Sequence, residues 1–381
     1  MYIYLDNAAT SSPKPQAVID EVRRALVEYN ANPGRSAHAP ALAAAHCVYA
    51  AREAIARLIG AAQSSSVAFA SNCTDALNLA IKGCLRRGDH VISTLLEHNS
   101  VLRPLSMLHD SGQIELTLIP PRPDGFIYPE DIRRSLRKNT RLIAVTHASN
   151  VTGAIQPVAA IGQLANAHGV LYLIDGAQAL GGMPVDVKKL GCSFYAFPGH
   201  KSLLGPQGTG GLYIRPQITL NTIREGGTGT ESDSMLQPAE PPERYEAGTL
   251  NLPGVAGLWR GAEHVRENLS RIMMSEREVA SQLYAELRKM RGVEIYSPDD
   301  EAARAGIVSF NLGDLSSSEA ADALARRNIA VRGGLHCAPG AHRFLGTLRR
   351  GAVRASVGHA TTSADIDALL SAVAEILKKG E

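Results

Sequence analysis

Five cysteines are scattered through 381 residues with no Cys-x-x-Cys pair among them, which argues against both a disulfide framework and a cysteine zinc site. Cys47, Cys73, Cys84, Cys192 and Cys337 are odd in number, and a reducing cytoplasm is their natural setting. No Lys/Arg run exceeds a pair such as Arg349-Arg350, and 39 basic residues stand against 37 acidic ones for a formal charge of +2. That balance gives no basis for binding nucleic acid or a membrane surface. The opening MYIYLDNAAT lacks a basic region ahead of a long apolar stretch, and the most apolar later run, GVLYLIDGAQAL, is interrupted by Asp175. Neither a signal peptide nor a membrane-spanning helix is expected. No Gly-x-Gly-x-x-Gly follows the first expected strand, which counts against a nicotinamide dehydrogenase. No repeat is present, and nothing calls for a metal.

What is present is an alternation of short apolar runs and helical patterns. VAFAS, HVISTL, IELTLIP, RLIAVTHAS, VLYLIDG, CSFYAFP and GGLYIRP lie between Ser66 and Pro216. Seven such strands with helices between them imply an α/β fold around a mostly parallel sheet covered on both faces. Only GHKSLLGPQGT separates the last two runs, too little for a helical crossover, so the seventh strand is expected to return antiparallel. A helical stretch from Val255 to Met290 leads away. Beyond it the pattern becomes α+β: VEIYSPD, GIVSFNLG, a helix near Ser317–Arg327, IAVRGG, AVRASVG and a closing helix from Ser363. Residues 15–255 are expected to form a large α/β domain and 256–381 a smaller C-terminal α+β domain, with 1–14 packing nearby. Gln237 to Glu243, rich in Pro and Glu, reads as a surface loop.

The polar motifs fall where parallel strands end, the edge at which ligands bind in open α/β sheets. After VAFAS come Asn72, Cys73 and Thr74 at the start of an amphipathic helix, whose free N–H groups and Thr74 hydroxyl can hold a phosphate; the plainer reading is an N-cap. Asp175 ends a hydrophobic strand, where a carboxylate needs a cation such as a protonated pyridine nitrogen, unless it caps the next turn. His200 and Lys201 follow in a Gly-rich loop, and a lysine with a lowered pKa can form an imine, although any one lysine is most often a solvated surface residue. His98 in LLEHNSV can stack on an aromatic cofactor and exchange protons, or be an ordinary loop histidine. Asn150 and Gln178 can bond a phenolic oxygen, or serve as turn and cap residues.

Taken in order, YLDNAAT, LEHNS, THASNVTG, DGAQA, GHKSLLGPQGTG, RYEAGTLN, RGGLHCA and VRASVG resemble the motifs of the fold-type-I pyridoxal-phosphate (PLP) enzymes. Within these the chain resembles the class V aminotransferase-like family, above all the cysteine desulfurases. The resemblance implies that Lys201 is the Schiff-base lysine, that Asp175 pairs with the pyridine nitrogen and that His98 stacks on the ring. It also implies Asn150 and Gln178 near the ring hydroxyl, and Cys73, Thr74 and His200 near the phosphate. Thr249, in EAGTLN, would reach the phosphate of a neighbouring subunit, making the protein a homodimer.

Cys337 lies in VRGGLHCAPG beside His336 and near Arg332, and a cysteine next to cations can be a thiolate near neutral pH; the plainer reading is an inert buried thiol. The segment looks like the R-x-G-H-H-C-A signature of SufS-like (group II) desulfurases, and Arg354 matches the arginine that clamps the substrate carboxylate. The resemblance then implies conversion of L-cysteine to L-alanine. Lys201 would move the Cα proton, and His98 or Lys201 would supply the final one. Sulfur would pass to Cys337 as a persulfide and on to an acceptor protein or small thiol, as in iron–sulfur cluster assembly. The chain departs from that pattern at Pro198, where a phosphate-binding Ser commonly precedes GHK, at Cys73, where Thr is usual, and at Leu335, which replaces the first His. The rivals are a selenocysteine lyase acting on L-selenocysteine, another class V enzyme acting on a small amino acid, and a non-catalytic α/β scaffold.

Overall fold

A computed structural model describes residues 2–34 and 36–379; Met1, Gly380 and Glu381, at the ends of the expected 1–14 and 256–381 spans, lie outside the described residues, as does Arg35. All seven expected runs form one sheet, in the spatial order Val67–Ala70, Gly210–Ile214, Phe194–Pro198, Leu171–Asp175, Thr140–Thr146, Asp89–Thr94, Ile114–Ile119. The five strands from Ile114–Ile119 across to Phe194–Pro198 pair in parallel. Gly210–Ile214 runs antiparallel to both of its neighbours, as the short connection demands.

Alternation with period two divides the strand residues between two cores. Phe69, Ile92, Ile143, Val145, Tyr172, Ile174, Tyr195 and Phe197 pack on one face. Ala68, Val91, Leu142, Ala144, Leu173, Phe194 and Ala196 pack on the other. Both faces are dry, so the strands read as unbroken apolar runs. The parallel strands end together at Thr94, Thr146, Asp175 and Pro198, and this common edge carries the site.

The long helix runs from Leu252 to Lys289, beginning three residues before the expected Val255. Asn251 accepts from Gly254 N at 3.1 Å, and Pro253 suits the first turn, where its missing N–H costs nothing. At 38 residues the helix spans about 57 Å. Its first turns belong to the large core through Val255, Ala256, Leu258 and Ala262, and its last turns join a second core through Val279, Ala280, Leu283 and Leu287. Gly261 is required for this: a β-carbon there would stand 2.3 Å from Leu203 O, on the loop after Lys201.

The second core lies under an antiparallel sheet ordered Arg332–Gly334, Ala352–Ser356, Ile307–Leu312, Val293–Ile295. Helices Ser317–Ala325 and Ser363–Lys379 accompany it. The expected strand IAVRGG divides in two: Ile329–Ala330 pairs instead, in parallel, with Ile3–Tyr4. Leu5 is fully buried in the second core. Two helices near the N-terminus, Gln16–Val27 and Ala39–Leu58, had no counterpart in the sequence reading. None of the described helices is long and apolar enough to cross a membrane.

Candidate active site

A cavity of about 220 Å3 opens at the carboxyl edge of the large sheet, lined by Cys73, Thr74, His98, Asn150, Asp175, Gln178, His200, Lys201 and Arg354 together with residues the sequence reading did not assign. Lys201 follows the strand Phe194–Pro198 in a loop closed by Gly205 N→Gly199 O and Leu204 N→Lys201 O, each 2.8 Å. Its backbone is held from outside: Ser11 Oγ donates to Lys201 O at 2.8 Å, and Lys14 Nζ to His200 O at 2.8 Å. Enclosure by protein lowers the Lys201 pKa, an effect opposed by the Asp175 carboxylate, so the amine is more readily neutral than an exposed lysine.

Asp175 is buried, and its Oδ1 accepts from Ala177 N at 3.0 Å and faces Cys73 Sγ at 3.6 Å. The turn-capping role and the place in the site are therefore both real. The Cys73 thiol points to this carboxylate, and burial followed by that charge raises its pKa well above the ordinary value. At the same helix start, Asn72 Oδ1 caps Asp75 N at 2.9 Å, while Thr74 Oγ1 lies 2.7 Å from Ser100 Oγ.

His98 caps its own helix, Asn99–Asp110: its Nδ1 accepts from Ser100 N at 3.0 Å. An N–H only donates, so the neutral ring carries its proton on Nε2. Burial lowers the pKa of His98, with Asp175 acting in the opposite sense. His200 is held neutral with its pKa pushed down to about 4, chiefly by burial and then by Lys201 and Lys14. Gln178 Nε2 donates to Ala8 O at 3.0 Å.

Arg354, 1% exposed on a central strand of the small sheet, donates from Nη1 to Asn150 O at 3.0 Å and from Nη2 to Asp6 Oδ1 at 2.9 Å. Among the described residues its buried Nε finds no acceptor, and buried His200 Nδ1 finds no partner. These unused groups, together with an acid, two imidazoles, a free-ended lysine and a helix start around one cavity, fit a cofactor bearing a phosphate, an aldehyde and a basic ring nitrogen, and an amino-acid carboxylate beside it.

Two expected residues stand apart. Cys337 is exposed, outside the lining, with its carbonyl accepting from Asn99 N at 2.7 Å. Of its two expected cationic neighbours, His336 is a correction: it is 3% exposed, and burial pushes its pKa down to about 3, so the ring is neutral. Thr249 is exposed and lines a separate cleft of about 150 Å3 with Ser71 and Arg224. The lining also includes Ser100, Thr146, Arg332 and His336, which the motifs contain or adjoin but whose inward direction no local pattern reveals.

A family model described as Aminotransferase class-V matches residues 3–369. The chain is 36% identical to a "Probable cysteine desulfurase" of Methanothermobacter thermautotrophicus, over all of this chain and 96% of that one. It is 34% identical to a "Cysteine desulfurase" of Yersinia pseudotuberculosis, over 99% and 93% of the two chains. Among solved structures it is similar to an apo cysteine desulfurase from Thermococcus onnurineus, with a TM-score of 0.94, 34% identity and coverage of 99% and 95%.

Proposed function

The chain belongs to the class V aminotransferase family, and from that premise we propose that it is a PLP-dependent cysteine desulfurase. The observation that carries this reading is the convergence of Lys201, Asp175, His98 and Arg354 on one cavity with the Cys337 loop bound to its rim. Asp175 would hold the cofactor's ring nitrogen, His98 its face, Asn150 and Gln178 its hydroxyl, Thr74, His200 and the backbone at Cys73 its phosphate, and Lys201 its aldehyde. When bound, PLP supplies an electron sink for the pair released at the substrate Cα.

The residues of this chain divide the remaining work. Arg354, whose Nε lacks an acceptor among the described residues, binds the carboxylate of L-cysteine, and its contacts to Asp6 and Asn150 fix the plane of the guanidinium. Lys201, more readily neutral than an exposed lysine, accepts the Cα proton. Cys337 as thiolate attacks the substrate sulfur: an S–S bond forms, the Cβ–S bond breaks, and its electron pair stays with the carbon fragment. Protonation of that fragment, from His98 Nε2 or Lys201, gives L-alanine, so that cysteine plus enzyme thiol becomes alanine plus enzyme persulfide. Cys337 is exposed, which suits onward transfer to an acceptor protein or small thiol, as iron–sulfur cluster assembly in the cytoplasm requires.

The large unit 15–255 then carries the cofactor, and 256–381 the nucleophile and the carboxylate clamp. Thr249 serves the site of a second copy, which its exposure and its place in a separate cleft support.

The test is incubation of the PLP-loaded enzyme with L-cysteine and a thiol, measuring alanine and sulfide together. Equal yields are expected, and Cys337→Ala should abolish both while leaving the visible absorption band in place. Alanine formation by Cys337→Ala at the wild-type rate would end the desulfurase reading in favour of another class V reaction; L-selenocysteine in parallel separates the lyase alternative.

A further inference from the structure

Three hydrogen bonds on the small-unit side of the cavity run in a single direction. His336 Nε2 lies 3.2 Å from Arg332 O, His336 Nδ1 lies 3.3 Å from His342 Nε2, and His342 Nδ1 lies 2.8 Å from Thr347 Oγ1. Both rings are buried, 3% and 0% exposed, and stack at 5.5 Å. Burial holds both neutral, so each carries one proton. A carbonyl only accepts, so His336 Nε2 must donate to Arg332 O. His336 Nδ1 is then an acceptor, His342 Nε2 its donor, and His342 Nδ1 the acceptor of the Thr347 hydroxyl proton. One carbonyl thus fixes both tautomers and the threonine rotor.

The chain of bonds passes through the first residue of a strained turn. His336 and Cys337 have φ of 49° and 56°, a left-handed conformation that a β-carbon disfavours and that persists only where the surroundings hold it. Asn150 Nδ2 holds His336 O at 2.6 Å, and Asn99 N holds Cys337 O at 2.7 Å. Those two contacts grip the backbone from the large unit. The imidazole chain grips the His336 side chain from the small unit.

We propose that His342 and Thr347 are positioning residues for Cys337: acting through His336, they keep the His336–Cys337 turn left-handed and fix where the thiol stands beside the cavity. The catalytic part of this rests on the desulfurase reading above; the conformational part does not.

The experiment uses the full chain loaded with PLP. Thr347→Val removes the donor at nearly constant shape, Thr347→Ser restores it, and His342→Phe removes the central ring's donor as a second route. Amide hydrogen exchange is read at Asn99 and at Ala338, whose N–H donates to Leu335 O. Loss of one buried bond should speed exchange at both by about tenfold in Thr347→Val and His342→Phe. In the same two variants kcat for alanine should fall by a similar factor with KM and the visible band unchanged, and Thr347→Ser should be wild-type in every respect. Wild-type exchange in Thr347→Val and His342→Phe, or equal loss in Thr347→Ser, would overturn the proposal. A wild-type enzyme that makes no persulfide would sink the desulfurase reading alone, because the exchange comparison is independent of turnover.

Discussion

Beside His98, on the same loop, stands a carboxyl group that pairs with no cation among the described residues. Glu97 is fully buried; its Oε1 accepts from Thr94 Oγ1 at 2.7 Å and Thr146 N at 3.0 Å, and its Oε2 has no partner among the described residues. Burial, reinforced by the Asp175 charge, raises its pKa from 4.5 to about 8. Between those values the folded protein keeps the proton that the unfolded chain has lost. The stabilisation this gives is therefore complete below pH 4.5 and is lost as pH rises through about 8. Glu97→Gln is neutral at every pH and should remove the dependence. Thermal melts should find the variant gaining on the wild type from about pH 5 to about pH 9, a swing of a few kcal/mol. A difference that stays constant with pH would mean that Glu97 is ionised in the fold.

At the scale of the element, the segment that bears Thr249 is anchored by a buried ion pair rather than by secondary structure. Arg52, on the helix Ala39–Leu58, meets Glu246 in a two-pronged contact at 2.6 and 2.9 Å, both side chains under a tenth exposed. Glu246 Oε1 also accepts from Phe69 N at 2.6 Å, and the guanidinium lies 4.5 Å from the Phe69 ring centre. Thus a helix, the edge strand Val67–Ala70 and the RYEAGTLN loop share one charge cluster. Removing one member strands the other charge in a dry site. Arg52→Ala should cost about 3–5 kcal/mol in denaturant unfolding, and a loss below 1 kcal/mol would show that Glu246 finds water or another cation.

For the whole molecule, the N-terminal residues and the long helix are what bring two sheets to one cavity. Asp6 reaches Arg354 across 348 positions of sequence, and the helix Leu252–Lys289 has one end in each core. If Thr249 serves the opposite subunit, sites are composite and can be rebuilt from two defective chains. Lys201→Ala and Thr249→Ala, each inactive or weak alone, should recover about a quarter of wild-type activity when refolded together, since half the dimers are mixed and one site in two is then whole. No recovery, in a preparation that light scattering finds dimeric, would place Thr249 outside the partner's site.

The strands, their antiparallel last member and the order of the site motifs were legible because each is a local property. Apolar runs report burial on both faces, and GHKSLLGPQGT is too short for a crossover whatever surrounds it. The helix Ala39–Leu58 was not legible in the same way, since it is rich in alanine and its buried face carries little contrast, whereas Gln16–Val27 does carry an amphipathic pattern. Nor was the division of IAVRGG between two sheets, which depends on Ile3–Tyr4 arriving from the far end of the chain. At the site, the places of Lys201, Asp175 and His98 after strands made them candidates, and their roles were implied only by the resemblance of the ordered motifs to a known family. Only the tertiary structure decided that the Cys73 thiol faces Asp175, that His336 is a buried neutral ring rather than a cation, and that Cys337 stands outside the cavity on a strained turn. Periodicity and spacing are set along the chain, whereas burial, tautomer and the direction of a side chain are set by neighbours hundreds of residues away.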